Sequence, residues 1–244
     1  MTLTNFLFVL LFVSVAHSLS DACRAHIERI NEYESLNKVE DWLRCINHAN
    51  SFKEYTKILT IKEFCSVHTY TNNLYKPLNC FFRGQVEDKN LKTPRWLVEY
   101  TAFLNAGLKK APKKHSGVVH RWTRTIPQNL NEGDILKNKV FLSTSLSIAD
   151  SQTKMDADEA IAYYRITDVK NEADITEFSL EGSEDEVLIG QGRCFTVTKV
   201  HPKGLVPFKG TQRAKYSMYD LKMIACPART LPKLKKAKII KDIL

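Results

Sequence analysis

The sequence lacks several features that would place it quickly. No apolar run is long enough to cross a bilayer: Phe6 to Val15 spans only ten residues, about half of what a transmembrane helix needs. No glycine-rich phosphate loop of the dinucleotide-fold kind is present, which argues against a nucleotide site of that type. The seven histidines show no metal-ligand spacing with cysteine, so no metal is expected. There is no internal repeat and no low-complexity segment. The C-terminus is basic rather than apolar, so the tail of a glycolipid-anchor signal is missing.

What remains is the composition of an ordinary globular protein. A hydrophobic fraction of 43% over 244 residues provides for a sizeable core in one domain. The N-terminus reads as a secretory signal peptide over residues 1–18. It has a short apolar core, and Ala16-His17-Ser18 carries small residues where a signal peptidase inspects the chain, although no Lys or Arg precedes the core. The six cysteines, Cys23, Cys45, Cys65, Cys80, Cys194 and Cys226, all lie beyond it. An even number in an exported chain predicts disulfides, and six allow fifteen pairings. A bridge from Cys226 back to Cys23 or Cys45 would close a very long loop. The formal charge of +9 is partly local. "LKKAPKKH" from Leu108 is one basic cluster, and "ARTLPKLKKAKIIKDIL" from Ala228 is another. Such runs either stay solvated or attract acidic surfaces and glycans.

Texture divides the chain. Residues from about 21 to 110 have helical periodicity. "DACRAHIERINEYESL" and "VEDWLRCINHA" place apolar residues three to four apart. "TYTNNLYKPLNCFFRG" opens on Thr and Asn cap candidates and reaches a helix stop at Gly84. "PRWLVEYTAFLNAGLKK" starts on Pro94, suited to a first helical turn. From about 117 to 227 the segments are short and β-branched: "VVHRW", "KVFLSTS", "AIAYYRITDV", "DITEFSL", "EVLIG" and "RCFTVTKV". Met155 to Ala162 adds a helix candidate between them. Helices followed by strands predict an α+β domain over residues 19–227, with a basic tail at 228–244.

Four features of the second half occur in order: Arg121 in "VVHRW", Ser143-Thr144-Ser145 in "FLSTS", "DITEFS", and Glu184 and Glu186 in "SEDEVLIG". This ordered set resembles the arginine-specific mono-ADP-ribosyltransferases, which include vertebrate ecto-enzymes and bacterial toxins. "YTNNLYKPLNCFFRG" and "FLNAGLKKAPKKHSGVVHR" extend the resemblance across most of the chain. It implies a helical part packed on two short, mostly antiparallel sheets that form an NAD cleft. It further implies NAD as co-substrate, a target-protein arginine as acceptor, and a monomeric, extracellular enzyme. Arg121 would hold the NAD phosphates. Ser143 would bond the nicotinamide ribose, and Thr144 and Ser145 would brace the strand.

The paired acids make sense in that chemistry. Leaving of nicotinamide gives an oxocarbenium-like ribose, which a carboxylate stabilises more in the transition state than in the ground state. The resemblance assigns that role to Glu186. Glu184, two residues earlier and on the same side of an extended chain, would seat and deprotonate the attacking guanidinium. The middle residue, Asp185, faces away. The family often carries an aromatic just before the Glu-x-Glu; here only Leu180, with Phe178 further back, stands in that segment. His120 reads as a satisfied strand histidine, and Arg83 in "FFRG" lies inside helical texture and is set aside. Arg124 competes with Arg121 for the phosphate role. Two alternatives stay open: an enzyme of the same fold that hydrolyses NAD, and an inactive binding protein with a basic surface.

Overall fold

Capping and periodicity set the helical half of the chain. The computed structural model describes residues 21–48, 51, 53–123, 130–153, 162–178, 185–202, 216–227 and 239–243. The expected signal peptide lies outside them. Helix α1 spans Asp21–Glu32, α2 Glu40–Asn47, α3 Ile61–Thr69, α4 Tyr75–Glu87 and α5 Arg95–Lys110. Thr60 and Glu63 form a reciprocal capping box at the start of α3: the Thr60 hydroxyl accepts from the Glu63 amide, and the Glu63 carboxylate accepts from the Thr60 amide. This satisfies two of the amides that a helix start leaves unpaired. The sequence reading passed over this T-x-x-E signal.

The stretch read as a helix start at "TYTNN" is instead a π-helical turn, Tyr70–Leu74, that joins α3 to α4 without a break. Gly84 does not stop α4, which runs three residues further and still receives a bond from the Asp88 amide at its carbonyl. Gly107 lets α5 press on α3, because a Cβ there would sit 2.9 Å from the Glu63 carbonyl oxygen. Trp42, Phe64, Phe81, Tyr100 and Leu104 are the centre of the helical core, each exposed by no more than 2%.

The strands follow as β1 Lys114–Thr123, β2 Ile135–Asn138, β3 Leu142–Ser145, β4 Ala162–Asp174, β5 Glu186–Ile189, β6 Cys194–His201, β7 Ser217–Ile224 and β8 Ile239–Ile243, with a short helix α6 at Ile148–Thr153. The α+β class read from the sequence is what the structure has. The two sheets are joined through β4 into one set of eight strands. β4 pairs antiparallel with β1 along most of its length, antiparallel with β5 at Ala173 and Asp174, and parallel with β7 from Ala162 to Thr167. β3 lies between β1 and β5.

Two segments depart from the sequence reading, and one expected helix falls largely outside the described residues. Of "DITEFSL", residues 174–178 are described, and only Asp174 belongs to a strand. β4 ends at Asp174, whose carboxylate accepts from both the amide and the hydroxyl of Thr176 and turns the chain into a single 3-10 turn, Thr176–Phe178; such local bonds compete with a strand ladder. The helix expected at Met155 to Ala162 falls mostly outside the described residues, and Ala162 opens β4. Within the tail read as solvated, Ile239–Ile243 pairs in parallel with β2.

All six cysteines are bridged, as Cys23–Cys80, Cys45–Cys65 and Cys194–Cys226. The predicted disulfides are there, but the long-range bridge from Cys226 to the helical half is not. Antiparallel pairing of β6 with β7 sets Cys194 opposite Ile224, which brings Cys226 to a Cα separation of 5.1 Å from Cys194. With 20 to 57 residues between partners, each bridge removes about 3–4 kcal/mol of unfolded-chain entropy in the loop-closure account. No helix among the described residues is long and apolar enough to cross a membrane.

Burial gives the fold an acid sensitivity. His68 and His120 are both held below the ordinary histidine range, His68 by burial and His120 by burial and the nearby Arg165. Each is therefore neutral in the fold at a pH where it is already half-protonated in the unfolded chain, near pH 6.5. Below that pH the unfolded state binds more protons, so stability falls as pH falls. The urea midpoint should be lower at pH 5 than at pH 7. Replacing His68 by Asn should flatten that slope by up to about 1.4 kcal/mol per pH unit.

Candidate active site

Strand register brings the predicted residues together. On β1 the side chains alternate. Val119 and Arg121 share the face of the sheet core with Tyr164, which lies opposite Arg121 on β4. The Arg121 guanidinium donates through Nη1 to the backbone carbonyl of Ser143 on β3. The Ser143 hydroxyl in turn donates to Oε1 of Glu186 on β5. Thr144 and Ser145 meet β5 directly. The Thr144 hydroxyl donates to the Val187 carbonyl at 2.7 Å, and Ser145 stands opposite Glu186 in the β3–β5 ladder. Arg121, Ser143 and Glu186 thus form one continuous line across three strands. Glu186 is only 4% exposed. Of the predicted set, Glu184 lies outside the described residues, as does Arg124.

The line has a strained cationic end. The Arg121 Nε is sealed from solvent and makes no hydrogen bond. Burial, and then repulsion from Arg83, bring the guanidinium down from its usual range to about 10. Tyr164 and Tyr70 oppose this, as does Glu186. A like charge nearby disfavours the charged form, so Arg83 stands close enough to be felt. Sequence reasoning discarded Arg83 because it sits in a helix far from the strand motifs. Its influence on Arg121 comes from tertiary placement across some forty residues of sequence, and no local pattern reports this. The only available signal was the phrase "FFRG" itself.

Tyr70 is the second residue that was missed. It occupies the π-turn, is fully buried, and lies within bonding reach of the Asn79 side chain at 3.2 Å and of the Phe141 carbonyl at 3.4 Å. Burial raises its hydroxyl well above the ordinary tyrosine range, so it stays a neutral phenol. The same balance registers Glu186, Arg121 and Arg83 as its charged neighbours. π-turns inside α-helices are frequent at functional sites, and here one delivers a phenol beside the strand line.

Other candidates resolve away from this line. His120 is on the opposite face of β1, with Nδ1 at 2.5 Å from the Tyr163 hydroxyl and its ring stacked on Tyr163; it is a satisfied strand histidine. Phe178 is 3% exposed and packs against Tyr55 and Phe64. It is core and not available to touch a target. Among the described residues no cluster of His, Cys, Asp or Glu has the arrangement of a metal site.

The family model for the ADP-ribosyltransferase exoenzyme matches residues 48–223. The chain belongs to the ADP-ribosyltransferase exoenzyme family. Solved members share its fold at low sequence identity. The Vis toxin of Vibrio splendidus, an ADP-ribosyltransferase, superposes with a TM-score of 0.53 at 15% identity, covering 84% of this chain and 92% of that one. ADP-ribosyltransferase HopU1 of Pseudomonas syringae gives 0.56 at 16% identity, covering 72% and 82%. The C3 exoenzyme of Clostridium limosum gives 0.51 at 13%, covering 74% and 95%. No curated protein matches the chain significantly in sequence. ADP-ribosyltransferases use NAD as substrate, and this one carries the three residues of the sequence motif that are described in a single hydrogen-bonded line.

Proposed function

We propose that this ADP-ribosyltransferase is a secreted enzyme that transfers ADP-ribose from NAD to arginine side chains of target proteins and releases nicotinamide. The observation that carries the reading is the line from Arg121 through Ser143 to Glu186, with Arg83 beside its cationic end. A buried guanidinium with an orphaned Nε, on which the charge of Arg83 also acts, is what a pyrophosphate would neutralise. Planar donor forks suit its oxygens. NAD would then lie with its phosphates at Arg83 and Arg121 and its nicotinamide ribose at Ser143 and Glu186.

The chain's own groups account for the chemistry. Glu186 is buried and receives the Ser143 hydroxyl, which fixes the carboxylate before substrate arrives. Preorganised charge of this kind acts on the cation developing at the ribose carbon. The bond from that carbon to nicotinamide breaks, its electron pair leaves with nicotinamide, and nicotinamide departs neutral. A guanidinium nitrogen of the acceptor forms the new bond to the same carbon and gives up one proton to Glu184, which passes it to water. Water can replace arginine as acceptor, and free ADP-ribose is then the product.

Arginine specificity draws support from the motif Glu184–Asp185–Glu186 and from a fold relative, Vis, whose structure contains agmatine, a decarboxylated arginine. Secretion draws support from three disulfides, which form and persist in oxidising compartments, and from the N-terminal segment 1–18 read as a signal peptide. The enzyme unit is then 19–227, followed by the basic tail 228–244, whose Ile239–Ile243 adds a strand beside β2.

The test is incubation with labelled NAD and agmatine, scored for ADP-ribosyl-agmatine and for free ADP-ribose. Mostly ADP-ribosyl-agmatine is expected. Free ADP-ribose alone would make the protein an NAD glycohydrolase, and neither product would make it a binding protein. A second expectation concerns Arg83. Substituting Gln removes the repulsion on Arg121, so the free protein should be no less stable to heat. NAD binding should weaken about tenfold, the worth of one charge-assisted bond. Calorimetric titration with NAD alongside thermal unfolding checks both signs.

A further inference from the structure

His68 lies on α3, two residues before Tyr70, and takes no part in the mechanism above. It is 9% exposed, and its ring stacks on Phe64 with centroids 5.3 Å apart. Its Nδ1 is 3.0 Å from the backbone carbonyl oxygen of Phe178. A carbonyl only accepts, so Nδ1 carries the hydrogen and donates.

Phe178 is the last residue of the 3-10 turn that follows β4, and the turn leads directly to the acid. The Phe178 amide donates to the Ile175 carbonyl at 2.8 Å, and the Ile175 amide donates to the backbone carbonyl of Glu186 at 2.9 Å. Three hydrogen bonds therefore run from an imidazole in the helical half to the main chain of Glu186. Each member is shielded: Ile175 is fully buried, and Phe178 is held between Tyr55 and Phe64. On the far side, the Asp185 carbonyl accepts from the Leu146 amide, immediately after the Ser143–Ser145 strand.

We propose that His68 is a positioning residue for Glu186, acting through the Thr176–Phe178 turn. The Glu186 backbone is held from two sides: the β3–β5 ladder pairs it with Ser145, and its carbonyl accepts from the Ile175 amide. Strand β5 is only four residues long and Glu186 is its first, the end where a ladder holds the chain least. The turn supplies a second hold on the side away from β3, and His68 clamps the turn to α3, which runs on into the π-turn of Tyr70.

The inference rests on the transferase reading for its kinetic arm only. His68→Leu keeps an apolar side chain of similar bulk and removes the donor. His68→Asn places an amide nitrogen where Nδ1 stands and restores it. In the Leu variant, hydrogen exchange by NMR should be at least about tenfold faster at the Ile175 amide, with the amides of α5 unchanged. The turnover number for NAD cleavage should fall about tenfold at unchanged KM for NAD, well within what an ångström of misplacement costs. The Asn variant should recover both. Unchanged exchange at Ile175 in His68→Leu overturns the proposal whether or not NAD is cleaved. Faster exchange with wild-type turnover also overturns it, because the bond would then be structural alone. Should His68→Leu fail to fold, the Asn variant decides: wild-type exchange and turnover support the donor's role, and a loss of either overturns it. A wild-type protein that does not cleave NAD sinks the transferase reading by itself, and the exchange arm still decides whether His68 holds Glu186.

Discussion

Replacing Glu186 by Gln should abolish both products of the reaction, transfer to arginine and free ADP-ribose, by about 10²–10³ in turnover. The substitution keeps the size of the side chain and one acceptor for the Ser143 hydroxyl. What it removes is the negative charge facing the ribose carbon. That charge matters most at the transition state, so NAD binding should change little while the rate collapses. Burial sharpens the effect, since a carboxylate only 4% exposed acts in a medium that screens charge far less than water. The measurement is single-turnover cleavage of NAD beside its equilibrium binding. If the Gln variant hydrolyses NAD at the wild-type rate, the ribose is not held at Glu186.

Glu184→Gln should separate the two products. Breaking the nicotinamide bond requires Glu186, and water can finish that reaction unaided. An arginine arrives protonated, with a pKa above 12, and must lose a proton as it bonds. A positioned base contributes about 10²–10⁴ to such a step. We therefore expect ADP-ribosyl-agmatine to fall by about 10² or more, while much of the free ADP-ribose persists. Asp185→Asn is the control. Asp185 is exposed, and its change should leave the product ratio alone. Equal loss of both products in Glu184→Gln would make Glu184 part of the ribose site and would leave arginine specificity to other residues.

The parts of this site that could be read from the sequence are those made within one strand. "VVHRW", "FLSTS" and "EVLIG" each became a strand with Arg121, Ser143 and Glu186 at the positions expected. A short extended segment fixes its own side-chain alternation, so local pattern is enough. Arg83 and Tyr70 were not legible for the opposite reason. Their place depends on how a helical rod leans on a sheet, and the π-turn that aims Tyr70 has no compositional mark in "TYTNN" beyond cap-like residues. The "DITEFSL" strand failed because β-branched residues signalled extension while Asp174 and Thr176 supplied a competing turn. The partner of Cys226 was misjudged because β7 was not recognised, and only its pairing with β6 brings Cys194 near. The strand inside the basic tail was hidden by the lysines around "II" and "DIL".

The disulfides also divide the molecule. Two of them tie helix to helix and the third ties β6 to the chain after β7, so none crosses from the helical half to the sheet. Across the seam between the halves, Phe141, Ile175, Phe178 and Leu188 join the helical core, and the Tyr70 hydroxyl reaches the Phe141 carbonyl. Oxidation therefore braces each half internally and adds no covalent tie across the seam. The seam is also where mild denaturant should act first, so that substrate binding is lost before either half unfolds.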